Sequence, residues 1–214
     1  MQSVQGFFEQ VLKYALDMQS LEIIGLVAGL AAVWWLLREN ILTWPAGLLY
    51  TVVSVVIFWE SGLLQDFVLH IYYFGMNAYG WYWWLQGKKN ERANATAKLP
   101  ITTSSNGLML RLALLSVVGI VASGYLFSHH PNASVPYWDA TTSILSVVGM
   151  WLTARKKIEN WYYWFVVDVL CTGIYFYKGL YFYSLLYAVY IFLAVAGYLA
   201  WRSSMQQQQQ PVQA

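Results

Sequence analysis

Between Leu21 and Trp201 the chain passes through seven apolar stretches of 17 to 22 residues, separated by polar turns and loops. A helix needs about 20 mostly apolar residues to cross a bilayer. This pattern therefore confines the chain to a polytopic membrane fold. The expected spans run over about 21–37, 41–59, 64–85, 108–127, 137–154, 160–177 and 180–201. Charged residues make up only 10% of the sequence, far below the roughly one quarter of a soluble domain. Pro45 falls in the first turn of the second span, where its missing N–H does no harm.

The segments around the spans read differently. Residues 1–20 carry Phe7, Phe8, Val11, Leu12, Ala15 and Leu16 on one helical face, with Glu9, Gln10, Lys13 and Asp17 opposite. That spacing predicts an amphipathic helix lying at the interface, too short and too charged to span. Residues 86–107 and 129–136 read as surface loops. Residues 202–214, with five successive glutamines, read as a disordered tail. No basic stretch leads into a small-residue cleavage site, so no removable signal peptide is expected. Cys171 is the only cysteine, which excludes an internal disulfide. The net charge of +2 comes without a basic stripe and does not point to nucleic acid.

Basic residues set the expected orientation. With seven spans, the loops 1–2, 3–4 and 5–6 and the C-terminus share one side. That side collects Arg38, Lys88, Lys89, Arg92, Lys98, Arg111, Arg155, Lys156, Lys157 and Arg202, ten of the twelve Lys and Arg. Lys13 and Lys178 fall on the other. The ten-residue side is expected to be cytoplasmic, with the C-terminus inside.

A shift of 117 residues places Trp34 on Trp151, Arg38 on Arg155, Trp44 on Trp161 and Gly62 on Gly179. The same shift places Tyr73 on Tyr190, Gly80 on Gly197 and Trp84 on Trp201. The register holds without a gap for about 50 residues. Residues 21–85 thus form a first three-helix half, 137–201 a second, and 108–127 a connector. An odd number of spans plus a connector makes both halves run the same way, a parallel repeat about an axis along the membrane normal. The expected fold class is an all-α integral membrane protein, seven core transmembrane helices in a 3+1+3 parallel repeat, preceded by the amphipathic helix. The 21–201 stretch is one transporter domain, with a substrate site near the midplane between the halves. The small residues Gly119, Ser123 and Gly124 of the connector offer a face for a neighbouring copy.

Trp161, Trp164 and Asp168 share one face of the sixth span, at i, i+3 and i+7. A carboxylate inside a membrane is expensive and marks a functional site by default. The bland alternatives are an interfacial aromatic belt for the tryptophans and a helix-packing hydrogen bond for Asp168. On the third span Asp66, His70, Tyr73, Asn77, Trp81 and Trp84 form a polar and aromatic stripe, and Gln65 begins it. On the seventh, Tyr183, Tyr187 and Tyr190 step by four and three. The candidate substrate-binding residues are Trp164, Asp168, Trp161, Asn77, Tyr73, Gln65, Tyr187 and Trp44, the last being the repeat twin of Trp161. Gly47 and Thr51 stand where the second half has Trp164 and Asp168, so the halves share a frame but not a face.

No Cys/His spacing for a metal, no phosphate-cradling glycine loop and no nucleophile elbow occurs. No cofactor and no enzymatic activity are expected. The aromatic, neutral-polar path suits a flat small solute without phosphates.

Two motifs carry a resemblance. Trp161-x-x-Trp164-x-x-x-Asp168 is similar to the Trp-x-x-Trp-x-x-x-Asn/Asp signature of the PnuC family of bacterial vitamin transporters. Asn77-Ala78-Tyr79-Gly80-Trp81-Tyr82-Trp83-Trp84 resembles that family's ending of the third span. The resemblance covers about residues 20–201. It implies seven core helices in a homotrimer with one pathway per protomer. It also implies uptake of nicotinamide riboside by facilitated diffusion, with cytosolic phosphorylation trapping the substrate. The signature role transfers to Trp161, Trp164 and Asp168; the other candidates rest on their own placement. The alternatives are a sugar or other nucleoside carrier of the same frame, or a membrane-embedded receptor.

Overall fold

The computed structural model describes residues 4–18, 20–90, 99–129 and 135–209. These hold eight helices: α1 (Val4–Asp17), α2 (Ser20–Leu37), α3 (Thr43–Glu60), α4 (Leu64–Asn90), α5 (Asn106–Ser128), α6 (Pro136–Ala154), α7 (Asn160–Tyr177) and α8 (Tyr181–Gln209). The only pairing of strand type among the described residues is an isolated bridge between Thr102 and Lys157. The fold is all-α.

Four helices are long and apolar enough to cross a membrane: α2, α3, α5 and α8 over Tyr181–Gln208. Two of the other long ones, α4 and α7, fall short for a chemical reason. α4 carries Gln65, Asp66, His70 and Asn77 among many Tyr and Trp, and α7 carries Asn160 and Asp168. Their polar and aromatic groups lower the mean hydropathy, and several of them turn to the interior.

Two three-helix sets make the body. α2 packs on α3 and α3 on α4; α6 packs on α7 and α7 on α8. The sets meet at two seams, α4 against α6 and α2 against α8. α5 lies outside, against α6. Its small residues turn inward to that partner: a Cβ at Gly124 would lie 2.4 Å from Tyr137 Cδ1, and one at Gly119 3.2 Å from Ile144 Cδ1. The expectation that Gly119 and Gly124 offer a face to a neighbouring copy is therefore corrected. The exposed side of α5 is Leu114, Leu115, Val118, Val121 and Tyr125.

The turns recur at the 117-residue spacing. Glu39 and Lys156 both take positive φ, 52° and 54°, and so do Gly62 and Gly179, at 69° and 75°. After the α2 and α6 ends, Asn40 N–H donates to Trp35 O and Lys157 N–H to Leu152 O, each at 2.9 Å. Tight indole packing recurs as well. A Cβ on Gly80 would lie 2.2 Å from Trp44 Cη2, and one on Gly197 2.3 Å from Trp161 Cη2. Only glycine lets each indole lie this close to the opposing helix. Trp44 meets Trp84 edge-on at 5.3 Å, and Trp161 meets Trp201 at 5.5 Å.

Two further expectations change. α8 does not stop at Trp201; residues 202–209 continue the helix, where a disordered tail was expected. Arg202 to Gln209 contains no Gly or Pro, and glutamine is a good helix former. Met205 packs on the core, and the Gln208 Oε1 accepts from Ile101 N–H at 3.1 Å. The remainder of the expected tail, 210–214, lies outside the described residues. Likewise α4 runs on to Asn90, and residues 99–105 are no simple surface loop. Ile101 is buried in the central cluster, and Ser104 N–H donates to Glu159 Oε1 at 2.8 Å. Residues 91–98 and 130–134 lie outside the described residues.

α1 packs on α8 and leaves Phe8, Leu12 and Leu16 exposed. Its Tyr14 hydroxyl donates to Glu22 at 2.9 Å and lies 2.8 Å from the Tyr183 hydroxyl. Burial, together with these neighbours, pushes the Tyr14 phenol above its ordinary range, so it keeps its proton.

Candidate functional site

A cavity of about 190 Å³ lies between the two helix sets. Gly29, Val33 and Leu36 reach it from α2; Trp44, Gly47, Tyr50 and Thr51 from α3; Tyr73 and Asn77 from α4. Ser146, Met150 and Thr153 face it from α6, Trp161, Trp164 and Asp168 from α7, and Tyr187 and Tyr190 from α8. α1 and α5 contribute nothing to its wall. Among the described residues no Lys, Arg or His lines it. The volume suits a small solute more than a drug-sized ligand.

Trp164 is held in place from behind. Its indole N–H donates to Thr153 Oγ1 at 3.0 Å, and Thr153 in turn donates to the Gly149 carbonyl at 2.9 Å. The backbone of Gly149 leaves the room, since a Cβ there would already lie 3.2 Å from Tyr163 Cβ and 3.4 Å from the indole. Tyr73 faces Trp164 at 6.5 Å with the ring planes 62° apart. Tyr187 and Tyr190 meet edge-on at 5.7 Å. Three helices thus supply aromatic faces and edges to one space.

Asp168 is 6% exposed. Its backbone carbonyl accepts from Thr172, but no described side chain donates a hydrogen bond to its carboxylate. The helix-packing reading of Asp168 therefore has no partner among the described residues. A carboxyl group that opens onto a cavity without a protein donor calls for one from a ligand or water. Asn77 is 5% exposed; its amide donates to the Tyr73 carbonyl at 2.9 Å. Its Oδ1 presses on Gly47, where a Cβ would sit 2.1 Å away. At the corresponding places of the other half stand Ala194 and Trp164. The large side chain is on α7 in one half and the polar one on α4 in the other, so the cavity is lopsided within a paired frame.

Seven of the eight residues singled out by sequence come together here: Trp44, Tyr73, Asn77, Trp161, Trp164, Asp168 and Tyr187. Gln65 does not line the cavity. Its amide donates to Ser143 Oγ at 2.9 Å, pinning the start of α4 to α6. Trp44 and Trp161 touch the cavity but are 1% and 2% exposed, locked against Gly80 and Gly197. That burial is at odds with an interfacial belt for Trp161. Tyr50, Ser146 and Thr153 were missed as candidates, and Tyr190, noted in the tyrosine stripe of the seventh span, was left out of the candidate set. Tyr190 is also the repeat twin of Tyr73; the others are single polar residues with no pattern around them.

One end of the cavity, at Leu36 and Trp161, is closed by crossed contacts. Trp201 Nε1 donates to the Leu36 carbonyl at 2.9 Å, and Trp84 Nε1 to the Ala154 carbonyl at 3.2 Å. Each tryptophan reaches from one helix set to the other. Between them Lys156 Nζ and Glu39 Oε2 pair at 2.7 Å, both side chains buried. Lys156 also lies 4.9 Å over the Trp84 ring and donates to the Leu99 carbonyl.

Known proteins resemble this chain over most of its length. A family model described as "Nicotinamide mononucleotide transporter" matches residues 19–203. The nicotinamide riboside transporter PnuC of Escherichia coli (strain K12) is 27% identical over 180 residues, covering 74% of this chain and 75% of the relative. The riboflavin/roseoflavin transporter RibM of Streptomyces davaonensis is 28% identical over 154 residues, 70% of this chain and 68% of the relative. A crystal structure of the vitamin B3 transporter PnuC superposes with a TM-score of 0.73 at 19% identity, covering 94% of this chain and 88% of that one. At that identity the likeness speaks for the fold.

Proposed function

We propose that this chain, which belongs to the nicotinamide mononucleotide transporter family and is a multi-pass membrane transporter, carries nicotinamide riboside by facilitated diffusion. The observation that carries this reading is the Asp168 carboxylate, facing the cavity beside Trp164 and Tyr73 with no donor among the described side chains, where the described lining holds no Lys or Arg. Nicotinamide riboside is a pyridinium with a carboxamide and a ribose. A flat cation is attracted to indole and phenol faces, and its hydroxyl and amide donors suit Asp168 and the Asn77 Oδ1. A phosphate on the same molecule would bring negative charge into a cavity whose described lining holds no Lys or Arg to offset it. The riboside therefore fits better than the mononucleotide of the family's description.

Trp164, Asp168, Asn77, Tyr73 and Tyr187 are the proposed substrate contacts, with Trp44 and Trp161 forming the floor. The 3+1+3 arrangement is the frame we infer for them. It is supported by the paired positive-φ turns, the paired Trp–Gly packings and the two equivalent seams. Seven helices, α2 to α8, then span, with α1 at the interface. A homotrimer in the bacterial inner membrane with a cytoplasmic C-terminus completes the proposal, and phosphorylation in the cytosol would trap the substrate.

Uptake by proteoliposomes containing only this protein tests the reading. Labelled nicotinamide riboside is expected to equilibrate across the bilayer, at a rate unaffected when ion gradients are collapsed. Calorimetry is expected to show binding of the riboside and none of the mononucleotide or simple sugars. Gradient-dependent accumulation would replace facilitated diffusion by coupled transport. Tighter binding of riboflavin than of the riboside would move the cargo to that of the RibM relative.

A further inference from the structure

Tyr50 lines the cavity from α3, and His70 of α4 stands behind it, 5% exposed. His70 Nδ1 lies 2.8 Å from the Asp66 carbonyl oxygen. A carbonyl can only accept, so Nδ1 carries the proton. The imidazole packs among the rings of Tyr50, Phe58 and Tyr73 at centroid distances of 5.5, 4.8 and 5.1 Å. No carboxylate is among its hydrogen-bond partners, and a second proton would leave an unpaired charge among aromatic rings. Nε2 is then an acceptor. The Tyr50 hydroxyl, 3.2 Å away, must be its donor.

A phenol has one proton to give. With that proton aimed at His70, and the buried Ser54 hydroxyl donating to the same oxygen from behind, Tyr50 can offer the cavity only a remaining lone pair. Its ring rests on one side against Gly29, where a Cβ would be 3.2 Å from Tyr50 Cδ2. The arrangement occurs once. The 117-residue shift puts Tyr187 in the place of His70 and Val167 in that of Tyr50.

We propose that His70 is a positioning residue that fixes Tyr50 as a hydrogen-bond acceptor. Tyr50 and Asp168 then select a substrate ring bearing a hydrogen-bond donor, such as a carboxamide, over the same ring bearing a carboxylate. The assignment rests on the nicotinamide riboside reading and adds to it a reason for the choice of ring substituent.

Calorimetric titration of the full chain with nicotinamide riboside and with its carboxylate counterpart, nicotinic acid riboside, tests it. The wild type is expected to prefer the carboxamide. Tyr50→Phe is expected to cut that preference about five- to tenfold, the effect of one hydrogen bond. His70→Phe is expected to cut it as much, and adding it to Tyr50→Phe to change nothing further. His70→Gln, whose amide can donate to the Asp66 carbonyl and accept from Tyr50, is expected to keep the preference. An unchanged preference in Tyr50→Phe overturns the proposal, as does a His70→Phe variant that loses affinity for both compounds equally. If melting curves show that His70→Phe does not fold, Tyr50→Phe and His70→Gln decide by the same ratio. A wild type that binds neither compound overturns the transport reading and this assignment with it; a wild type that binds both equally overturns this assignment alone.

Discussion

Trp164, supported from behind by Thr153, and Asp168 face the cavity, whereas Trp44 and Trp161 are sealed into the packing on nearly every side. Ligand loss and stability loss should therefore separate along this chain. Trp164→Ala and Asp168→Asn are expected to lower riboside affinity by tenfold or more, since a desolvated cation–π contact and a charged hydrogen bond are each worth roughly 1.5–3 kcal/mol. Their melting temperatures should change little. Trp44→Ala should do the reverse, removing about 3–5 kcal/mol of stability from a fully buried site. Melting and calorimetry on the same three variants check this; a Trp164→Ala protein that binds normally would sink the site. Gly47 provides a sharper probe. Gly47→Ala would drive a methyl to within 2.1 Å of Asn77 Oδ1 and must displace the amide. About tenfold weaker binding is expected from that overpacking. Gly75→Ala on α4 meets nothing within 4 Å and should leave binding unchanged.

At the scale of elements, the ends of α2 and α6 meet through Glu39 and Lys156, positions related by the 117-residue shift. Two residues related by a two-fold axis touch only near that axis, so under the repeat this ion pair marks it. Breaking one side leaves a buried charge uncompensated. Glu39→Gln is expected to cost about 3 kcal/mol, and Glu39→Gln with Lys156→Met distinctly less. Thermal melting of the two variants decides it, and equal losses would mean that the pairing itself contributes little. The sequence pattern reached this region only in part. The Trp44/Trp161 and Gly80/Gly197 pairs were legible because rare residues recurred at one spacing, and packing then forced each indole onto its glycine. Asp168 was legible because a carboxylate in an apolar run has few explanations. Gln65 misled, since a polar residue at a helix start looks the same whether it faces a cavity or pins two helices. Residues 202–209 misled because a glutamine run carries no apolar stripe, and its helix is held by distant contacts from Ile101. The Glu39–Lys156 pair was invisible: both sit among charges that read as ordinary cytoplasmic punctuation, and only the fold buries them.

At the scale of the whole molecule, the frame and the charge bias make one joint demand. If α2 to α8 all span, the α3–α4 and α7–α8 turns lie on the side poor in basic residues, and Arg38, Arg155, Lys157 and Arg202 lie on the other. Ser61 and Gly179 mark the first side, and both are exposed; Ser203, exposed beyond Trp201, marks the second. The single cysteine, Cys171, is buried in α7, so Cys171→Ala supplies a thiol-free background at modest cost. In intact cells a membrane-impermeant maleimide is expected to label Ser61→Cys and Gly179→Cys but not Ser203→Cys. Lysis should expose the last. The Ser61 and Gly179 results must agree, because an odd number of crossings separates neither turn from the other: α4, α5, α6 and α7 lie between them. Labelling at one turn and not the other would mean that one of these four helices fails to cross, and the parallel relation of the two halves would fall with it.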